Sequence, residues 1–196
     1  PALVQNMDMV NGVYISRSGW QSDVAAVHFK LPISYGTPVR VEFDRFQKYP
    51  WAGNLKVFRV WKGQPGPNGY PNCYLGRQVD CKSLLYTEKL APVSLNRDAA
   101  GNAFPWNRAY ISYPHPVGSW RHEVWEWTPN SALGKSDGKI KITIDGQVIF
   151  QADHWQTDDA ANPGVPNHLC IQDDPSNMTL PADSVVQYKN IKIVVS

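Results

Sequence analysis

The segment Lys139-Ile140-Lys141-Ile142-Thr143-Ile144, then Asp145-Gly146, then Gln147-Val148-Ile149-Phe150, most narrows what this chain can fold into. Apolar and polar residues alternate with period two before the turn, which reads as a half-buried strand. Asp-Gly suits the two positive φ angles of a type I′ turn, so the whole segment reads as a β-hairpin. Val39-Arg-Val41-Glu-Phe43-Asp alternates in the same way. Further strands are predicted at Val10–Ile15, Val24–Leu31, Leu55–Trp61, Leu84–Leu90, Ala109–Tyr113, Trp120–Trp127, His168–Gln172 and Val185–Val195. Loops rich in Gly, Pro, Asn and Asp are expected over 62–82, 91–108 and 151–167. No amphipathic helix of ten or more residues stands out, and Thr157–Asn162 has room for a single turn. So many strands need two stacked sheets to bury their apolar faces. The expected fold is all-β: an antiparallel two-sheet β-sandwich, one domain over residues 1–196, with residues 1–9 as an N-terminal arm.

Composition narrows the function. The 196 residues carry 19 Lys+Arg against 17 Asp+Glu, a net +2, which argues against a nucleic-acid partner. With 42% hydrophobic and 18% charged residues, a disordered chain is excluded. No apolar run reaches the ~20 residues that span a bilayer, so no membrane insertion is expected. The start Pro1-Ala2-Leu3-Val4 shows neither a basic n-region nor an apolar h-region, so no signal peptide is read in this chain. Trimming of an initiator Met before proline leads to the expectation of cytoplasmic synthesis and a chain complete at Pro1. Three cysteines do not form a disulfide scaffold. Cys73 and Cys81 bracket a Gly-containing loop and are the disulfide candidate, their pairing left open; Cys170, between Leu169 and Ile171, reads as a buried thiol.

Sugars are held by flat aromatic faces and planar polar groups. Trp125 and Trp127 share a strand face with Arg121 and Glu123, opposite Trp120, His122 and Val124. Arg59 and Trp61 likewise share a face. If Trp120 and Val124 point inward, Trp125 and Trp127 point outward, at a cost unless a sugar or a neighbouring subunit covers them. The glycan-binding candidates are therefore Trp125, Trp127, Arg121, Glu123, Trp61 and Arg59. The opposite facing, or loops draped over the rings, is the alternative. His122 has the parity of Trp120 and Val124 and reads as a satisfied buried histidine. Arg40, Glu42 and Asp44 alternate with Val39, Val41 and Phe43 and read as a solvated face. No metal or other cofactor is expected; Asp158, Asp159 and Asn162 are the calcium candidates, without a Asp-x-Asp-x-Asp-Gly loop to support them.

Several of these pieces together resemble a known family. The run Gly118-Ser-Trp120-Arg-His122-Glu-Val124-Trp-Glu-Trp127, then Asn130, then Asp137-Gly138 leading to Asp145-Gly146, is similar to a pattern of concanavalin A-like jelly rolls. Polysaccharide lyases and their non-catalytic relatives carry it. Trp51-Ala-Gly53-Asn54-Leu55-Lys56 resembles a Gly-Gly-Lys-Leu segment of that family, and Val185-Val-Gln-Tyr188-Lys-Asn190-Ile191-Lys-Ile193 resembles its final strand. The resemblance implies the jelly-roll fold, and for a catalytic member it implies uronate elimination by Arg, His, Tyr and Gln. The family's Arg-x-Glu-x-Arg strand is only loosely echoed by Arg40-Val-Glu42-Phe-Asp-Arg45, and its Gln-x-His strand is unmatched. His168 and Gln172 carry the two types reversed and wider apart, and Tyr188-Lys189 lacks the expected Phe. In the glucanase pattern Glu-x-Asp-x-Glu, Phe46 and Gln47 stand where a further carboxylate is needed. The lyase candidates are His122, Tyr188, Arg40, Arg59 and Gln172.

The expectation is a non-catalytic, lectin-like sandwich on an external surface, virion or extracellular, binding a polysaccharide or cell-surface glycan. A variant is a phage decoration or fibre module covered by copies of itself or by shell neighbours. The alternative is a polysaccharide lyase cleaving uronate-containing glycans by β-elimination.

Overall fold

The computed structural model describes residues 3–16, 25–48, 54–61, 74–80, 87–91, 118–156, 158, 160, 163–174, 183 and 185–196. Every regular element among them is a strand: β1 (Leu3–Gln5), β2 (Met7–Val10), β3 (Val13–Ser16), β4 (Ala25–Lys30), β5 (Val39–Gln47), β6 (Asn54–Trp61), β7 (Tyr74–Asp80), β8 (Thr87–Ala91), β9 (Trp120–Thr128), β10 (Gly138–Ile144), β11 (Gln147–Trp155), β12 (His168–Asp174) and β13 (Val186–Val195). They form a six-stranded sheet, β1-β4-β12-β6-β7-β8, and a seven-stranded sheet, β11-β10-β9-β5-β13-β3-β2. Neighbours pair antiparallel, and the fold is the expected two-sheet sandwich.

The alternation in β5 shows how the sequence sets the two faces. Val39, Val41, Phe43, Arg45 and Gln47 are buried, while Arg40, Glu42, Asp44 and Phe46 are only half-buried. Across the sandwich, Phe58 of β6 stacks on Trp125 of β9 with ring centroids 3.9 Å apart. Phe43 lies parallel to Phe58 at 6.0 Å and meets Tyr188 of β13 edge-on at 6.2 Å. Val60, Leu169, Ile171 and Val27 complete the six-stranded side of the core; Ile140, Ile142 and Ile144 complete the other.

The Asp145-Gly146 hairpin is as expected, with φ of 49° and 80°. Four boundaries differ from the sequence reading. The strand expected at Val10–Ile15 is broken by a second left-handed pair, Asn11 (φ 51°) and Gly12 (φ 79°), into the β2–β3 hairpin. β1 and β2 pair into the two sheets, so residues 3–10 belong to the sandwich and do not stand off as an arm. β7 lies inside the loop expected over 62–82, and β11 runs on to Trp155. The strand expected at Ala109–Tyr113 lies outside the described residues.

The loops at one end are tied together by a single carboxylate. Asp158, fully buried, accepts from Asn130 Nδ2 (2.8 Å), the Gly134 N–H (3.1 Å), the Gly164 N–H (3.1 Å) and the Tyr35 hydroxyl. Asn130 also donates to the Ala132 carbonyl, while Asp137 accepts from the Ser131 N–H and hydroxyl at 2.8 and 2.6 Å. Burial pushes the Asp158 carboxyl up, but the donors around it outweigh burial and hold it below the ordinary carboxylate range. Asp158→Ala would strand these donors, and we expect unfolding stability in urea to fall by about 2–4 kcal/mol.

Candidate functional site

Two outward faces carry polar chemistry, one on each sheet. On the seven-stranded sheet, the half-buried positions of β5 meet the outward positions of β9, β10 and β13. Arg40 donates from Nε to Glu42 Oε1 and from Nη1 to Glu126 Oε1, both at 2.7 Å, and Lys141 Nζ stands 3.8 Å from Glu126 Oε2. The hydrogen bond from Arg40, with its charge, holds Glu42 below the ordinary carboxylate range; the same bond pushes the Arg40 guanidinium up. Arg40, Glu126 and Lys141 wall a groove of about 460 Å³ that crosses β13, β5, β9, β10 and β11, with Thr128, Lys139, Gln151, Asp153 and Val194 also lining it.

Along the same face, His122 Nδ1 lies 2.8 Å from Asp44 Oδ1, and its Nε2 is 3.9 Å from Glu42 Oε2. Asn190 Nδ2 donates to the other Asp44 oxygen at 2.6 Å. At the end of β9, Trp120 is 37% exposed, with Lys189 Nζ 4.0 Å from its ring centroid and Phe46 tilted against it at 5.6 Å.

The outward face of the six-stranded sheet is different: its centre is closed to solvent. Ala25, Val27, Leu169 and Ile171 point into the core, so His28, His168 and Cys170 lie on the opposite side, yet all three are buried. His28 Nδ1 and His168 Nε2 are 3.3 Å apart, and Cys170 Sγ is 3.9 Å from His28 Nε2. Both nitrogens of His28 are thus engaged inside the protein. Burial, then the charge of His168, pushes His28 down to about 4, and burial lowers His168 too. Both imidazoles are neutral at pH 7. The ladder sets Cys170 directly across from Arg59, His168 across from Trp61, and Gln172 across from Ala26.

Several expected site residues are placed elsewhere. Trp125 and Trp127 are 0% and 2% exposed and face the core, with Arg121 and Glu123 beside them. The outward facing of that set is therefore corrected: β9 turns Trp120, His122 and Glu126 out instead, because Ile140 and Ile142 pair with Trp127 and Trp125 on the inner side. His122, expected to be buried, is half exposed. Tyr188, a lyase candidate, is wholly in the core against Phe43. The remaining lyase candidates are divided: His122 and Arg40 lie on one sheet, Arg59 and Gln172 on the other. Asp158, a calcium candidate, has its carboxylate turned to hydrogen-bond donors, which a cation would repel. Asp159, Asn162, Cys73 and Cys81 lie outside the described residues, as do the side chains of Arg59, Trp61 and Gln172. Cys170 is a buried thiol in no disulfide. Among the described residues no group of three or more His, Cys, Asp and Glu could hold a metal ion. The sequence reading passed over His28, although the alternation of Ala25 and Val27 with Ala26 and His28 marks its face.

No family model matches the chain, and no curated protein matches it. Solved structures do. An endo-β-1,4-glucuronan lyase from the fungus Trichoderma reesei superposes with a TM-score of 0.60 at 12% identity, over 92% of this chain and 79% of that one. The alginate lyase Aly36B gives 0.59 at 14% identity, over 96% and 82%. The carbohydrate recognition domain of Emp47p gives 0.57 at 15% identity, over 95% and 86%. The protein has the concanavalin A-like jelly-roll fold. Sugar-cleaving and sugar-binding proteins share this fold, so at such identities the likeness shows the fold alone.

The two buried acid-sensitive centres titrate in different ranges. For His28, folded protein binds the proton less readily than unfolded chain. The stability is full above pH 6.5 and falls by about 2–3 kcal/mol as pH drops to about 4. Asp158 depends on pH in the same direction but through its charged form: its contribution is present above the ordinary carboxylate range and is lost as pH falls below it. Urea midpoints measured across pH should show two acid limbs, with His28→Gln flattening the upper one and Asp158→Asn the lower.

Proposed function

We propose that the protein binds a carbohydrate without cleaving it, in the groove on the outer face of the seven-stranded sheet. One observation carries this reading: the guanidinium of Arg40 and the carboxylate of Glu126 are ion-paired at the wall of an open cavity, and Glu42, just outside it, holds Arg40 from the other side. Planar donors and acceptors held rigid before the ligand arrives suit vicinal hydroxyls, since little ordering is left to be done on binding. The jelly-roll neighbours support a sugar partner in a general way. An extracellular or cell-surface setting is where such recognition would act.

The second reading, a polysaccharide lyase, is favoured by the neutral histidine pair on the other sheet. β-Elimination needs a base for the C5 proton, an acid for the leaving oxygen and a cation or amide at the uronate carboxylate. In that reading His168 takes the proton and His28 holds it in position, although both rings are buried. Against it, the five residues expected for this chemistry are split between two sheets and the core.

A glycan array followed by calorimetry tests the first reading. Binding is expected, weakened about tenfold or more by Arg40→Ala and by Glu126→Gln, with the thermal midpoint little changed because exposed ion pairs contribute little to stability. Incubation with glucuronan and alginate should give no ultraviolet absorbance from unsaturated product. Product that disappears in His168→Ala would establish the second reading in place of the first.

A further inference from the structure

We infer that the groove is one end of a longer track running along β9 to Trp120, so that the ligand is an extended oligosaccharide chain and not a single terminal sugar. This rests on the carbohydrate-binding reading above. Residues 120, 122, 124 and 126 share the outward face of β9, with Glu126 in the groove wall and Trp120 at the far end. Six residues of strand span about 20 Å, longer than any disaccharide.

The side chains between the two ends suit the same ligand. His122, Asp44 and Asn190 form a hydrogen-bonded cluster of planar groups midway, and Val124, between it and the groove, is buried. At the end stands an indole. Trp120 pairs with Phe46 on the outer side at the rung next to the one where Arg45 and Arg121 face inward. The two large rings are thus outside where two cations are inside, the reverse of what burial alone would choose. A flat ring presented outward next to polar groups is a stacking platform for the CH face of a sugar.

The ring is covered by the ammonium of Lys189, 4.0 Å from its centroid. At an exposed position that contact is weak, so an arriving sugar can displace the lysine, whose long stem lets it swing aside. Lys189 is in this view a removable cover and not a sugar contact.

The test uses ladders of cello-, glucuronan and mannuronan oligosaccharides from two to six sugars, titrated calorimetrically into the whole chain. For the glycan that binds, the hexasaccharide should bind about tenfold tighter than the disaccharide. Trp120→Ala should remove that gain, bringing the hexasaccharide down to about the affinity of the disaccharide, and Lys189→Ala should leave the hexasaccharide affinity equal or higher. Equal affinities along the ladder, or a hexasaccharide indifferent to Trp120→Ala, would overturn the extended track and leave the groove intact. A hexasaccharide weakened by Lys189→Ala would overturn the lysine's part as a cover. If no member of any ladder binds, the carbohydrate-binding reading itself fails, and the track with it.

Discussion

The stacking of Phe58 on Trp125 decides which side of every strand is outside. Phe58 belongs to the six-stranded sheet and Trp125 to the seven-stranded one, so the 3.9 Å contact is also the contact that joins the two layers. An indole that deeply buried removes a large apolar area from water, and no outward placement could recover it. Once Trp125 is inside, period two puts Trp127, Glu123 and Arg121 inside with it, and puts Trp120, His122 and Glu126 outside. The groove, the Asp44–His122 pair and the exposed indole all follow from that one choice.

The same choice has a cost at the other end of β9. Arg121 and Arg45 face one another across a rung of the ladder, both buried, with Glu123 and Gln47 near them. Burying such groups is unfavourable unless hydrogen bonds compensate. Arg45 Nη2 donates to Gln47 Oε1 at 2.9 Å, and Trp125 Nε1 donates to Glu123 Oε2 at 3.1 Å, so the polar end is knitted to the apolar core through the very tryptophan that fixes the facing. The interior of the seven-stranded sheet therefore grades from Val39 and Trp127 at one end to Arg45 and Arg121 at the other.

That gradient explains what the sequence could and could not reveal. The hairpin at Asp145-Gly146, the alternation of β5 and the two-sheet architecture were legible because period and turn chemistry are local. The facing of β9 was not. Each parity of Trp120–Trp127 holds two apolar residues and two polar ones, so alternation alone leaves a tie. The tie is broken by the register with β10, where Ile142 sits opposite Trp125 and Ile140 opposite Trp127. A nine-residue connection separates the two strands, and its geometry depends on Asp158, far along the chain. The short Asn11-Gly12 hairpin was legible in principle, since Asn-Gly carries the same signal as Asp-Gly. The His28–His168 pair was not, because its members are distant in the chain and meet only through the β4–β12 ladder.

The position of the polar groups also bears on catalysis. Elimination needs base, acid and charge neutraliser around one sugar, within hydrogen-bond reach of the same few atoms. A sandwich has two outer faces separated by its whole core, and residues on opposite faces cannot act on one bond. Arg40 and His122 are on the outer face of the seven-stranded sheet, Arg59 and Gln172 belong to the six-stranded sheet, and Tyr188 lies in the core. On the seven-stranded face, moreover, His122 and Arg40 are each bound to carboxylates of their own sheet, so neither is poised to neutralise a uronate. Groups so fully occupied are rigid, and rigidity serves recognition of hydroxyls better than transfer of protons. The histidine pair on the six-stranded sheet is buried, with both nitrogens of His28 engaged inside the protein.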